Sequence, residues 1–374
     1  MTGAARAHKH LVLLGAGHAH VHVLSTLAAH PFAGVQVTLI SPYRRQLDCA
    51  MVPGYVAGHY ALADCVIPLE PLLKHTGVRW LSTSASALDA DAGTLTLDDG
   101  STLEFDWLSV NTGAVQDRQQ LEQAMPGARE HGLCVRPIET FAALWPQVLE
   151  LASTRTLRVA VIGAGAAGIE LAMAIQHRLP AGSVTLISGT AGVANAYPPA
   201  VQNKVMHALK RRRITVLPDL AVGIEAGQVR LASGARLACD VPLIATGAQA
   251  PGWLRRSGLA LSEDGLIAVD ACQRCTRHPH VFAAGGVSAR VEQSSARKGV
   301  HAVRAGPDLL KNLTAAIAGT PPAPHRPRTS SLNLLSCGDR VAIASWRHYA
   351  AQGHWVWWLK NRIDRSLIRR YLRA

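Results

Sequence analysis

The chain has 374 residues, 48% of them apolar, and a formal charge of +13. That length and composition give a globular protein with room for two or three domains and exclude an intrinsically disordered one. The charge calls for a negative partner, and nucleic acid, anionic lipid and anionic cofactors all qualify. Seven scattered cysteines, an odd number, fit reduced thiols and not a disulfide framework. No stretch is long and apolar enough to span a bilayer, and the run Leu11–Leu14 is too short for a signal peptide, so a cytoplasmic location is expected.

In chain order, His10–Leu14 reads as a strand, followed by the turn Gly15-Ala-Gly17, a helix from His18 to Ala29 and a β-branched strand Val35–Ile40. Phe105–Gly113 is a further strand ending in Thr112-Gly113. The plan then repeats. Val159–Ile162 leads into Gly163-Ala-Gly165-Ala-Ala-Gly168, a helix Ala166–Arg178 and a strand Val184–Ile187. Cys239–Gly247 closes this second unit, again on Thr246-Gly247. A strand from Val281 ends in Gly285-Gly286, and helix-like residues run from Lys298 to Ile317. Residues 320–331 are rich in Pro, Ser and Thr and read as a linker to a small C-terminal module.

A strand, a glycine turn and a helix form a phosphate cradle. The first glycine makes the tight turn, the second admits a pyrophosphate to the backbone, and the third packs helix on strand. Gly163, Gly165 and Gly168 fit all three roles; Gly15 and Gly17 fit two, with His20 in the third place. Two such units predict two nucleotides held facing each other. The acid expected after each second strand is replaced by Ser41 and by Ser188, so a hydroxyl is what meets each ribose. No arginine follows Ser188 closely, and the choice between NADH and NADPH stays open.

Cys272 and Cys275 have a paired spacing but precede the third strand, which favours a structural role, and no metal is expected. His18, His20 and His22 alternate, but alternate residues do not share a helix face. In the tail, Val356, Leu359, Ile363, Leu367 and Tyr371 form an apolar stripe among Lys360, Arg362, Arg365, Arg369, Arg370 and Arg373, with Trp355, Trp357 and Trp358 alongside. This predicts an amphipathic helix over 355–373 that lies on a membrane surface. The alternative is a helix docked on the protein's own core or on a second subunit of a homodimer. No aromatic-plus-basic stacking module appears outside the tail, so nucleic acid is not an expected partner.

Gly15-Ala-Gly-His-Ala-His20, the segment Met51–Tyr60, Arg304–Pro307 and Ile363-Asp-Arg365 together resemble the pyridine nucleotide-disulfide oxidoreductase superfamily. More narrowly, they resemble the NADH dehydrogenase-like flavoproteins found alone or fused to selenide, water dikinase. Those are related to type II NADH dehydrogenases and sulfide:quinone oxidoreductases. The resemblance implies an α/β fold of two Rossmann-like dinucleotide-binding domains plus a C-terminal module. The FAD domain, 8–115 and 266–320, would be interrupted by the NAD(P)H domain, 116–265, with the module at 321–374.

It further implies that Gly15, Gly17, His18 and Ser41 hold FAD, with Pro53 and Gly54 beside the isoalloxazine ring. Gly163, Gly165, Gly168 and Ser188 would hold NADH or NADPH. Thr112-Gly113 and Thr246-Gly247 would line the cofactor crevices. Glu170 would stand near nicotinamide and flavin, and Lys298 with Gly299 would stabilise reduced flavin. The family's aspartate on the ribityl chain is Gly286 here, leaving backbone N–H groups of Gly286 and Val287 in its place. The implied activity is hydride transfer from NAD(P)H to FAD and on to a quinone-like acceptor, by a peripheral protein on the inner face of the cell membrane. Two other readings remain: sulfur or selenium oxidation through Cys49, paired with Cys134 or Cys337, and a non-enzymatic nucleotide-binding scaffold.

Overall fold

The computed structural model describes residues 9–246, 249–291, 299–324 and 332–372, with the backbone alone over 299–304. The two glycine-turn units fold to one plan. The first sheet has strand order Val281–Ala283, Trp107–Val110, Lys9–Leu14, Val35–Ile40, Arg79–Leu81, and every pairing is parallel. The second runs Leu133–Cys134, Val241–Ile244, Arg158–Ile162, Ser183–Ile187, Thr215–Leu217, again all parallel. Leu11-Val-Leu-Leu14 and Val159-Ala-Val-Ile162 are buried on both sheet faces, which is why they read as unbroken apolar runs. The expected helices appear at His18–Leu27 and Ala166–Arg178.

Each unit also carries a three-stranded antiparallel meander. The first comprises Ala85–Asp89, Thr94–Leu97 and Thr102–Glu104; the second comprises Ala221–Glu225, Gln228–Leu231 and Arg236–Ala238. The first sheet is completed only by Val281–Ala283, which returns after the whole second unit to pair with Trp107–Val110.

The C-terminal module is a three-stranded antiparallel sheet, Asn333–Ser336, Ala342–Trp346 and Tyr349–Gly353, followed by a helix, His354–Leu372. The helix was expected, but its faces are divided differently. Val356, Ile368 and Tyr371 are buried in the protein's own core, while Trp355, Trp358, Ile363 and Leu372 are exposed. Lys360, expected on the charged surface, is 6% exposed and is paired with Asp364 at 2.6 Å. Tyr60 on the first unit anchors the helix by donating to Asn361 Oδ1 at 2.9 Å. Among the described residues no helix is long and apolar enough to cross a membrane.

Candidate active site in the crevice between the two sheets

The C-terminal ends of both parallel sheets open into one crevice of about 2770 Å³. That is where open α/β sheets place ligands, because the strand ends and helix N-termini converge there. The glycine turns of both units, Ser41, Ser188, Thr112, Gly113 and Thr246 line it, as do Pro53, Cys49, Glu170 and Gly286.

The second turn separates glycines the protein needs from one that only a ligand needs. Gly163 has φ +110, and a Cβ there would lie 2.9 Å from the Ala245 carbonyl oxygen. A Cβ on Gly168 would run into the Gly163 carbonyl oxygen, so this glycine lets the helix sit on the strand. Gly165 has an ordinary φ of −75, and a Cβ on it would meet nothing within 4 Å. Its smallness leaves an open floor in front of the helix N-terminus, suited to a phosphate.

The first turn is more occupied. Gly15 has φ +88, and a Cβ there would lie 2.6 Å from Thr112 Cα. A Cβ on Gly17 would strike the Asn111 amide. Asn111 Oδ1 accepts the N–H groups of Ala19 at 3.1 Å and His20 at 3.3 Å, and its Nδ2 donates to the Ala284 carbonyl at 2.6 Å. With the Gly15 N–H donating to the Ile40 carbonyl and the Gly17 N–H to the Asn111 carbonyl, the first-turn donors left for an anion among the described residues are those of Ala16 and His18. His20, in the place of the third glycine, closes the turn by hydrogen bonding. Its Nδ1 lies 2.6 Å from the Gly15 carbonyl and its Nε2 2.8 Å from Ser109 Oγ. Burial pushes this imidazole down to about 4, so it is neutral, donating from Nδ1 and accepting at Nε2.

Several expected residues are placed differently. Gly54 packs on the Tyr60 ring, which a Cβ would strike, and does not line the crevice. Val287 is fully buried and faces the core, whereas Gly285, Gly286 and Ser288 form the crevice wall. The Ser41 hydroxyl donates to the Tyr43 carbonyl at 3.3 Å, and the Ser188 hydroxyl donates to the Leu217 and Gly189 carbonyls at 3.2 Å each. Lys298 and Gly247 lie outside the described residues; Gly299 opens the helix Gly299–Ile317. His18 faces Asp48 at 3.9 Å, and His22 Nδ1 lies 3.4 Å from the Tyr371 hydroxyl, so the three histidines diverge.

For FAD, the first unit offers the turn, the Thr112-Gly113 strand end and the Gly285-Gly286 wall. It lacks a carboxylate at Gly286, where a Cβ would lie 3.3 Å from the Ala114 nitrogen. The cradle therefore fits a dinucleotide through backbone groups, without the charge-assisted ribityl contact.

Glu170 sits one turn into the second glycine-turn helix and accepts the Ser336 N–H at 2.7 Å. Burial pushes its carboxyl up to about 7, against the opposing pull of Lys360. Burial works against the charge on Lys360 as well, but the Asp364 and Glu170 carboxylates outweigh it and hold the ammonium protonated. Lys360 also donates to the Ala50 carbonyl at 2.6 Å, tying the C-terminal helix to the segment before Pro53. Asp48 Oδ2 and His18 Nε2 are buried beside this cluster with no hydrogen-bond partner among the described residues.

Cys49 is exposed on the crevice wall, and desolvation by the surrounding protein pushes its thiol up to about 11. The charges it feels are those of Arg136, Asp48 and Glu139. None of the seven cysteines is in a disulfide, the Cys272–Cys275 pair included.

Sequence reasoning missed Asn111, Asp48 and the Lys360–Asp364 pair. Asn111 does stand beside the Thr-Gly that was singled out. The pair has the i, i+4 spacing of a helical ion pair, and only its burial was not visible.

The family model for pyridine nucleotide-disulphide oxidoreductases matches residues 9–306. An NADH dehydrogenase-like protein of Mycobacterium tuberculosis is 28% identical over 242 residues, 61% of this chain and 60% of that protein. The alternative NAD(P)H-ubiquinone oxidoreductase C1 of Arabidopsis thaliana is 24% identical over 213 residues, 52% of this chain and 40% of its own length. The match thus spans less than two thirds of these curated relatives. Among solved structures, the sulfide:quinone oxidoreductase of Aquifex aeolicus superposes with a TM-score of 0.78 at 18% identity, covering 97% of this chain and 91% of that one. The NDH2 of Plasmodium falciparum in complex with NADH gives 0.77 at 12% identity, covering 96% and 97%. These structures share the fold, and the family model fixes the lineage: the chain belongs to the pyridine nucleotide-disulphide oxidoreductase family.

Proposed function

We propose that this protein is an FAD-dependent NAD(P)H oxidoreductase that delivers electrons to a quinone-like acceptor at a membrane surface. The observation that carries this reading is a single crevice onto which both glycine turns open, with the half-buried Glu170 on its wall. Gly163, Gly165 and the uncapped helix behind them would hold the pyrophosphate of NAD(P)H. Gly15, Gly17, Thr112-Gly113 and Gly286 would hold FAD, which when bound accepts hydride and passes electrons on singly or in pairs. Glu170, poised near neutrality, would hold or release a proton beside the acceptor. Its neighbours Lys360 and Asp364 would set its charge. Lys298 would stabilise the reduced flavin, as the family resemblance implies.

The exposed Trp355, Trp358 and Ile363, with Arg362, would rest on anionic lipid, bringing the crevice mouth to a membrane-borne acceptor. The names of the Arabidopsis and Aquifex proteins, an NAD(P)H-ubiquinone and a sulfide:quinone oxidoreductase, support a quinone-like acceptor. The test is the visible spectrum of the purified protein before and after NADH, then with a soluble quinone. Flavin bands that bleach with NADH and return with quinone support the reading. A protein that takes up no FAD and oxidises no NADH refutes it.

Two observations keep a non-enzymatic scaffold in view: the missing carboxylate at Gly286 and the N–H groups already taken by Asn111. Stoichiometric FAD in the purified protein would remove that reading. A sulfur-oxidising role through Cys49 needs a thiolate, which desolvation in the crevice disfavours; full activity in Cys49→Ala would remove it.

A further inference from the structure

Ser188 follows the second strand of the second unit, where a ribose-binding acid is absent, and its hydroxyl is turned to backbone carbonyls. The neighbouring strand supplies the missing charge. Thr215–Leu217 runs parallel to Ser183–Ile187 with Leu217 opposite Ile187. Two residues beyond that pair, the Gly189 N–H donates to the Asp219 carbonyl at 3.0 Å. Asp219 thus stands one strand-spacing, about 4.8 Å, across the sheet from the Ser188-Gly189 end.

The Asp219 side chain lines the crevice and is held in place. Oδ1 accepts the Leu220 N–H at 2.7 Å, and Oδ2 accepts the Ser233 hydroxyl at 2.5 Å. The Ser233 and Leu220 hydrogen bonds keep its carboxyl below the usual range, so it is a carboxylate at neutral pH. Beside it Leu220 is 46% exposed and lies 3.5 Å from where a Gly189 Cβ would be, an apolar ledge suited to a purine face. The crevice-lining residues from Ile187 to Ala221 include no lysine or arginine.

We propose that Asp219 selects the nucleotide, accepting the adenosine ribose 2′-hydroxyl of NADH and repelling the 2′-phosphate of NADPH. This rests on the reading that the second glycine turn holds the dinucleotide pyrophosphate. A carboxylate is a strong acceptor for a hydroxyl. A 2′-phosphate brings close to two negative charges at neutral pH, and no crevice-lining cation is there to receive them.

The test is isothermal titration of the purified protein with NADH and with NADPH. NADH is expected to bind about tenfold or more tighter, the scale of one hydrogen bond to a charged group. Asp219→Asn should shrink that ratio about fivefold or more, by weakening NADH and strengthening NADPH. A wild-type ratio near one, or an unchanged ratio in Asp219→Asn, overturns the proposal. If Asp219→Asn does not fold, wild-type binding of AMP against 2′-phospho-AMP decides, with AMP expected to win by a similar factor and equal binding overturning the proposal. Failure of the underlying reading looks different. Neither nucleotide would then bind, or Gly165→Val, which fills the cradle, would leave both affinities intact.

Discussion

The backbone N–H of Ser336 donates to Oε1 of Glu170 at 2.7 Å, so the C-terminal sheet grips a carboxyl that belongs to the second glycine-turn helix. The grip supplies one hydrogen bond, but burial dominates and raises the carboxyl from its ordinary value to about 7. A carboxyl raised in the folded state binds more protons than the unfolded chain between those values, so its contribution to stability falls as pH rises through that window. Glu170→Gln keeps the acceptor oxygen for Ser336 and removes the half-buried charge. Its melting temperature should exceed wild type at pH 8 and match it at pH 5. On the proposed function, turnover in wild type should inflect near pH 7, and the inflection should vanish in Glu170→Gln.

His20 works in the opposite sense. Its folded-state value near 4 lies below the ordinary 6.5, so the unfolded chain binds the proton more readily. Stability from this residue is present above pH 6.5 and is lost as pH falls towards 4. His20→Leu leaves the Gly15 carbonyl and the Ser109 hydroxyl buried without partners, at a cost of about 1–3 kcal/mol each. Thermal melts at pH 5 and pH 7.5 should show a large loss at pH 7.5 and a smaller difference from wild type at pH 5.

The two inner glycines of the second turn should separate binding from folding. Gly165→Val places its side chain in open space, so melting should change little while NAD(P)H binding is abolished. Gly168→Ala forces a methyl into the Gly163 carbonyl oxygen and should cost about 1–3 kcal/mol of stability. Melting curves and nucleotide titration on the two variants test both statements.

Lys360→Met leaves Asp364 buried with an unpaired charge and the Ala50 carbonyl without its donor. A loss of about 3–5 kcal/mol is expected. Lys360→Met combined with Asp364→Leu should recover much of it, because the isolated charge is gone. Chemical denaturation of the single and double variants is the check.

Trp355→Ala with Trp358→Ala removes exposed surface without touching the buried face of the C-terminal helix. Co-sedimentation with vesicles containing anionic lipid should fall about tenfold or more, since each tryptophan offers some 150–250 Å² to bury. Melting should be unchanged. Equal sedimentation of variant and wild type would remove the membrane-facing role of this helix.

Much of this architecture is legible in the residues. Leu11–Leu14 and Val159–Ile162 have no polar face to hide, and a strand buried on both sides writes itself as an unbroken apolar run. The glycine turns are equally direct, because φ near +90 at Gly15 and Gly163 excludes other side chains on steric grounds. The meanders were not seen, since strands such as Thr102–Glu104 are three residues long and half-exposed, too short to show a period. The C-terminal helix shows where pattern stops. Its apolar stripe was visible, but a stripe does not say whether protein or lipid covers it, and here Val356 and Tyr371 face protein. Lys360 and Asp364 read as solvated charges because burial is a property of the partner surface, which lies about 300 residues away at Ala50.

The return of Val281–Ala283 to the edge of Trp107–Val110 sets an order on synthesis. At ribosomal speeds of 5–20 residues per second, roughly 10–35 s separate the emergence of the two strands. Through that interval Trp107–Val110 is an uncovered parallel edge, of the kind that pairs with other nascent chains. The second unit, by contrast, has all five strands of its sheet within residues 133–244 and can close while the first still waits. The half of the molecule that is translated first is therefore the half that finishes last.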